Sequence, residues 1–272
     1  MDTYTREGLV FDVTDSGPAD GDVVVLLHGF PQNRHEWDGV IPHLTGAGYR
    51  VLAPDQRGYS PAARPSSRRA YVQSELVSDV IALADAAGAA KVHLVGHDWG
   101  AAMAWALASR YPERLHTLTA VSVPHPKALA WAMPRGQILK SWYVGAFQLP
   151  VLPERFLLTR RGLSLLAGSG MTPEQMNDYV APLGADGLRT ALNWYRALPW
   201  SQREKGYARR TTVPTTYVWS DGDVALGRAG AEATGRFVDA PYTFEVMTGL
   251  SHWIPDEAPV ALAELILERV RG

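Results

Sequence analysis

The stretch Val95-Gly96-His97-Asp98-Trp99-Gly100-Ala101 sets an aspartate between two glycines, each two positions away. An apolar β-branched run leads into it and an apolar helical pattern follows. This is the layout of a nucleophile elbow, with Gly-x-Asp-x-Gly in place of Gly-x-Ser-x-Gly. A side chain held on a sharp strand-to-helix turn needs small neighbours, and the helix N-terminus behind it favours an anion. Asp98 is therefore a candidate carboxylate nucleophile. Taken alone, it reads equally well as a helix N-cap. Two later segments add what a nucleophile needs. Asp221-Gly222-Asp223 offers a loop carboxylate and Leu250-Ser251-His252-Trp253 offers a base. The chain order is then nucleophile, acid, base. Asp223 has the better spacing from the preceding predicted strand, and Asp221 stays open as the alternative. The loop Ser122-Val123-Pro124-His125-Pro126, the other place for the acid, holds no carboxylate. Upstream, His28-Gly29-Phe30-Pro31 closes an early apolar run, and the backbone N–H groups of Phe30 and Trp99 are the candidate oxyanion pair. Pro31 cannot donate a hydrogen bond and opens the option of a cis peptide. His28 reads as a structural partner of nearby backbone.

These residues need strand ends to stand on. Continuous apolar runs at Val23–Leu27, 50–53 and 91–95 fit strands buried on both faces, and 118–123, 215–219 and Tyr242–Met247 read as three more. Residues 73–87 place Leu76, Val77, Val80, Ile81 and Ala84 at helical spacing, with Gly88 as a C-terminal cap. A last helix runs over about 259–270. Alternating strands and helices predict a mostly parallel central sheet flanked by helices, with its site at the carboxyl ends of the strands. Residues 125–212 differ: they hold four of the nine tryptophans, several prolines and no clear strand. A structureless loop of that length is uncommon. The expectation is a core domain of 1–124 and 213–272, with 125–212 as a helical insertion after the sixth strand.

Bulk properties narrow the rest. The chain has 272 residues, 46% hydrophobic and 20% charged, an ordinary globular composition. Its 26 Lys and Arg against 28 Asp and Glu leave a formal charge of −2, so nucleic acid and membrane surfaces are not expected partners. Cysteine is absent, which excludes disulfide frameworks and thiolate chemistry. The polar N-terminus does not read as a secretory signal and no run matches a membrane helix, so a soluble cytoplasmic protein is the expectation. His35-Glu36 lacks the second helical histidine of a zinc site and no phosphate-binding glycine loop occurs, so neither metal nor cofactor is expected.

Together the segments His28-Gly29-Phe30-Pro31, Gly96-His97-Asp98-Trp99-Gly100, Asp223 and Ser251-His252-Trp253 make the chain resemble the epoxide hydrolases of the α/β-hydrolase fold. The resemblance spans the whole chain. It implies that residues 125–212 are a lid, and that two lid tyrosines hold the epoxide oxygen. One such tyrosine lies in an Asn-Trp-Tyr-Arg motif, here Asn193-Trp194-Tyr195-Arg196. The other lies four residues before Phe-Gln-x-Pro, here Tyr143 before Phe147-Gln148-Leu149-Pro150. Without the resemblance, both tyrosines read as aromatic core. A departure is Ala101, where the family often has a second glycine.

The implied reaction suits these residue types. A serine opening an epoxide would leave an ether that activated water cannot cleave, whereas an aspartate leaves an ester that it can. Asp98 would attack, Tyr143 and Tyr195 would protonate the oxygen, His252 oriented by Asp223 would activate water, and a vicinal diol would leave. Trp142, Phe147, Trp194 and Trp253 are the candidate pocket walls for a small hydrophobic epoxide, and Trp131 and Trp200 add to the apolar character of the lid. Alternatives are a haloalkane dehalogenase, disfavoured because Phe30 has no side-chain donor for halide; a fluoroacetate dehalogenase, which would want an arginine where Trp99 stands; and a non-catalytic small-ligand binder. Oligomeric state is not legible.

Overall fold

The computed structural model of the chain describes residues 1–168 and 170–272. Its eight strands are β1 (Thr3–Arg6), β2 (Leu9–Ser16), β3 (Val23–Leu27), β4 (Arg50–Pro54), β5 (Val92–His97), β6 (Leu115–Val121), β7 (Thr215–Ser220) and β8 (Tyr242–Met247). They form one sheet in the order β1-β2-β4-β3-β5-β6-β7-β8. From β4 to β8 every pairing is parallel, and β1 and β2 add an antiparallel edge. The expected central strands are present within a few residues. The β1–β2 hairpin is an addition to the sequence reading.

Successive residues of a strand face opposite sides, and the apolar runs supply both. Val25, Leu27, Leu52 and Leu94 face one core. Helices Gln73–Ala86 and Trp99–Arg110 cover it. Val24, Leu26, Val51 and Val95 face the other, beneath Leu44, Leu262 and Ile266 of helices Ile41–Gly46 and Pro259–Arg271. Double-sided burial explains why these strands read as unbroken apolar runs.

Between β6 and β7 the chain is helical. Pro126–Ala132 packs on the helix Arg228–Ala233, whereas Leu152–Leu157, Arg160–Ala167 and Pro173–Ala191 pack on one another. Hydrogen bonds join this segment to the sheet loops: Thr190 Oγ1 donates to the Gly58 carbonyl at 2.7 Å and Trp194 Nε1 to the Arg57 carbonyl at 2.8 Å.

The strand order reverses beside β3, which pairs with β4 on one side and β5 on the other. Such a switch point leaves a crevice at the carboxyl ends. Leu27 is in register with Gly96, so the loops that continue from them, 28–31 and 97–98, emerge side by side.

Candidate active site

Asp98 follows β5 and precedes the helix Trp99–Arg110 with φ 48° and ψ −116°. An aspartate there costs about 1–3 kcal/mol, which the surrounding packing must offset. Its side chain caps no amide of that helix, so the plain N-cap account does not describe it. The glycines explain how the turn closes. A Cβ on Gly96 would lie 2.3 Å from the Gly100 carbonyl oxygen, one on Gly100 would lie 2.0 Å from that of Leu27, and one on Gly29 would lie 2.5 Å from Asp98 Cβ. Gly100→Ala is thus expected to destabilise the chain by about 2 kcal/mol, the sign opposite to helix propensity. The urea midpoint of unfolding measures it, and an unchanged or higher midpoint refutes the close-approach argument.

The carboxylate is held through one of its oxygens. Asp98 Oδ2 accepts the Phe30 N–H at 3.0 Å. Asp98 Oδ1 lies 3.7 Å from His252 Nε2, too long for a hydrogen bond. Trp99 opens its helix, so its N–H has no intrahelical acceptor. The Phe30–Pro31 peptide is cis. His28 donates from Nδ1 to the Gly29 carbonyl at 2.9 Å and accepts the Gln56 N–H on Nε2 at 3.0 Å, so its ring is spent on the loop.

His252 follows β8. Its Nδ1 meets Asp223 Oδ2 at 2.8 Å. Asp223 is buried, and its other oxygen accepts the N–H groups of Ala225 and Leu226 at 2.7 and 2.8 Å. Asp221 is exposed and accepts the Gly249 N–H at 2.7 Å instead. Of the two carboxylates, Asp223 is the one at the histidine. Burial works against a charged His252, but Asp223 and Asp98 outweigh it and push its pKa up to about 10. Asp98, despite burial, is held below the usual carboxylate range by His252.

Sequence reasoning assigned nothing to the support beneath His252. Its carbonyl accepts from His97 Nε2 at 2.9 Å and from Ser122 Oγ at 3.1 Å. His97 Nδ1 faces Glu36 Oε2 at 3.4 Å, both groups being fully buried. Burial and then the neighbouring His252 drive His97 down to about 3, and burial raises Glu36 well above its ordinary range. His97 is therefore neutral and carries its proton on Nε2, where it donates to the His252 carbonyl, and burial disfavours the charged form of Glu36 beside it. His97 adjoins the nucleophile in sequence, which is a signal; Glu36 has none.

Tyr143 and Tyr195 come from helices Trp142–Ala146 and Asn193–Arg196. Their rings are 6.1 Å apart, and Tyr195 stands edge-on to Trp99 and Phe30 at 5.0 and 5.4 Å. Arg196, deeply buried, ties the two motifs together. Its Nη1 pairs with Glu154 at 2.8 Å, its Nε donates to the Phe147 carbonyl at 3.0 Å, and its Nη2 donates to that of Leu149 at 2.6 Å. Gln148 Nε2 donates to the Tyr195 carbonyl at 2.9 Å. Burial, and then the charge of Asp98, raises both phenols far above their ordinary value, so they remain donors.

Asp98, Tyr143 and Tyr195 line two cavities, of ≈ 500 and ≈ 770 Å³. Trp142, Phe147, Trp253 and His252 line the smaller. Trp194 does not; it lines the larger with Trp99. Trp131 and Trp200 line neither. They lie under arginines, Trp131 beneath Arg135 and Arg236 and Trp200 beneath Arg69, where flat rings attract cations.

The family model described as alpha/beta hydrolase fold matches residues 22–259. The AB hydrolase superfamily protein YfhM of Bacillus subtilis is 38% identical, over 97% of this chain and 96% of that protein. Epoxide hydrolase 3 of Xenopus tropicalis is 31% identical, over 95% of this chain and 74% of its own length. The crystal structure of Epoxide Hydrolase A from Mycobacterium thermoresistibile superposes with a TM-score of 0.88 at 27% identity, covering 99% of this chain and 97% of that one. The chain belongs to the α/β-hydrolase fold family, as an epoxide-hydrolase-like member.

Proposed function

We propose that the chain is a cofactor-independent epoxide hydrolase that works through an ester on Asp98. The observation that carries this is a buried carboxylate with one oxygen on the Phe30 N–H and the other free, facing a histidine–aspartate pair in a cavity shared with two tyrosines. Asp98 Oδ1 attacks one ring carbon, that carbon's bond to the ring oxygen breaks, and the oxygen takes a proton from Tyr143 or Tyr195. Water then attacks Asp98 Cγ and gives its proton to His252. The negative oxygen that forms is Asp98's own, and the amides of Phe30 and Trp99 are the donors offered to it. One such donor contributes about 3–4 kcal/mol in comparable sites. The tyrosine recovers its proton from the one that His252 gives up on esterification; when the ester bond breaks, the diol oxygen takes the water's second proton, the diol leaves, and His252 keeps the first, which restores the free site. In this reading, residues 125–212 act as a lid over the strand ends.

The histidine changes role through charge. In the free site Asp223 and Asp98 hold it protonated. Esterification removes the Asp98 anion, so its pKa falls and it becomes a base. Hydrolysis therefore slows as pH drops through the pKa that His252 has in the ester, while alkylation needs no base. The test is intact-protein mass after single turnover with styrene oxide. We expect the whole mass of the epoxide to be added to Asp98 in His252→Gln, and the same adduct to build up in the unaltered chain as pH is lowered. Absence of any adduct in His252→Gln rejects the ester.

A further inference from the structure

We propose that the rim of the smaller cavity is a docking face for an anionic lipid surface. The proposal rests on that rim and on the exposed side chains of residues 125–168, Leu139 and Leu158 among them, and is independent of the catalytic reading. Leu152, Val224 and Trp142 are 63%, 61% and 58% exposed and line the mouth, together with the less exposed Leu149, Phe156 and Leu165. Nine of the twelve large apolar side chains exposed among the described residues lie between 138 and 165. Soluble surfaces seldom gather such groups without a partner.

Charge says which partner. Residues 125–168 hold six lysines and arginines against one acid, Glu154, and that acid is buried on Arg196. The net charge of −2 conceals this segregation. Arg155 sits on the same helix as Leu152 and Phe156, and Arg160 and Arg161 open the helix that carries Leu165. The one ion pair they make among the described residues, Arg160 with Glu174 at 3.7 Å, is largely exposed and worth little. Pairing this face with its copy about a two-fold axis would set cation against cation. A bilayer of anionic lipid takes both features: Trp and Leu sink to the headgroup boundary and arginine forks onto phosphate. The cavity then opens into the apolar phase.

The test is pelleting of the full chain with vesicles of phosphatidylglycerol mixed with phosphatidylcholine, against pure phosphatidylcholine. Binding is expected to the first, with loss at high salt. Arg160→Gln with Arg161→Gln should lower the partition coefficient roughly 25-fold, taking the usual electrostatic contribution of a surface cation. Leu139→Ser with Leu158→Ser, neither of which lines the cavity, should lower it at least roughly tenfold. The melting temperature of each variant confirms its fold without reference to turnover. No pelleting with the anionic vesicles, or undiminished pelleting of folded variants, overturns the proposal. So does a concentration-dependent dimer that Leu139→Ser with Leu158→Ser abolishes, which would assign the face to a second copy of the chain.

Discussion

Replacing Asp98 with alanine is expected to lower epoxide turnover by about 10⁵-fold or more, the scale on which removal of a covalent nucleophile acts. Among the described residues no other carboxylate is placed to substitute, because Asp223 is committed to His252 and to two backbone amides. Alanine accepts nothing from Phe30 and removes one of the two anions that hold His252 protonated. The fold should survive. The turn at φ 48° is already borne by a residue with a Cβ, and Gly29 gains clearance. Steady-state turnover of styrene oxide, with the thermal melt as a control, reads the effect. A variant retaining turnover within about tenfold of the unaltered chain would mean that His252 directs water straight onto the epoxide. It would also mean that no ester lies on the path.

The double replacement of Tyr143 and Tyr195 by phenylalanine is expected to slow alkylation by about 10³–10⁴-fold, the upper range for a general acid. Each single replacement should cost far less than the square root of that loss, since either phenol can hold the oxygen while the other is missing. Phenylalanine keeps the edge contacts of Tyr195 with Trp99 and Phe30 and of Tyr143 with Phe147, so only the hydroxyl is removed. The measurement is the rate of adduct formation in a His252→Gln background, which isolates ring opening from ester hydrolysis. An unchanged rate there would assign the tyrosines to packing, the reading they invite without the family resemblance.

The parts of the fold legible in sequence were those where physics leaves a one-dimensional trace. Strands buried on both faces are unbroken apolar runs, and β3, β4 and β7 stand where those runs lie. The elbow was legible because a sharp turn demands glycine at two set positions. The β1–β2 hairpin was missed because only Tyr4, Phe11 and Val13 point inward from its strands, with Glu7 and Gly8 turning at φ 50° and 79°. Strand β6 ends at Val121 rather than 123 because Ser122 turns at φ 68°, which brings its hydroxyl to the His252 carbonyl. Glu36 and Arg196 act through partners distant in sequence, at His97 and at Glu154 with Phe147, and no local spacing announces such contacts. The tryptophans show the opposite failure. Their number suggests an apolar pocket, but Trp131 and Trp200, both half-buried, lie under arginines, and Trp200 also packs on the core.

The two cavities that meet at Asp98, Tyr143 and Tyr195 differ in size, ≈ 500 against ≈ 770 Å³. For an epoxide carrying a substituent on each carbon, one arm must enter each cavity, so the ring carbons stop being equivalent. Backside displacement inverts whichever carbon Oδ1 reaches. The handedness of the diol is then decided by which arm fits which cavity. Two mirror-image substrates seated with their arms exchanged offer opposite carbons to the same oxygen, and both can deliver one enantiomer. Stereochemical outcome in such a site is a property of the walls, open to change at Leu152 or Trp194 while the reacting groups stay as they are.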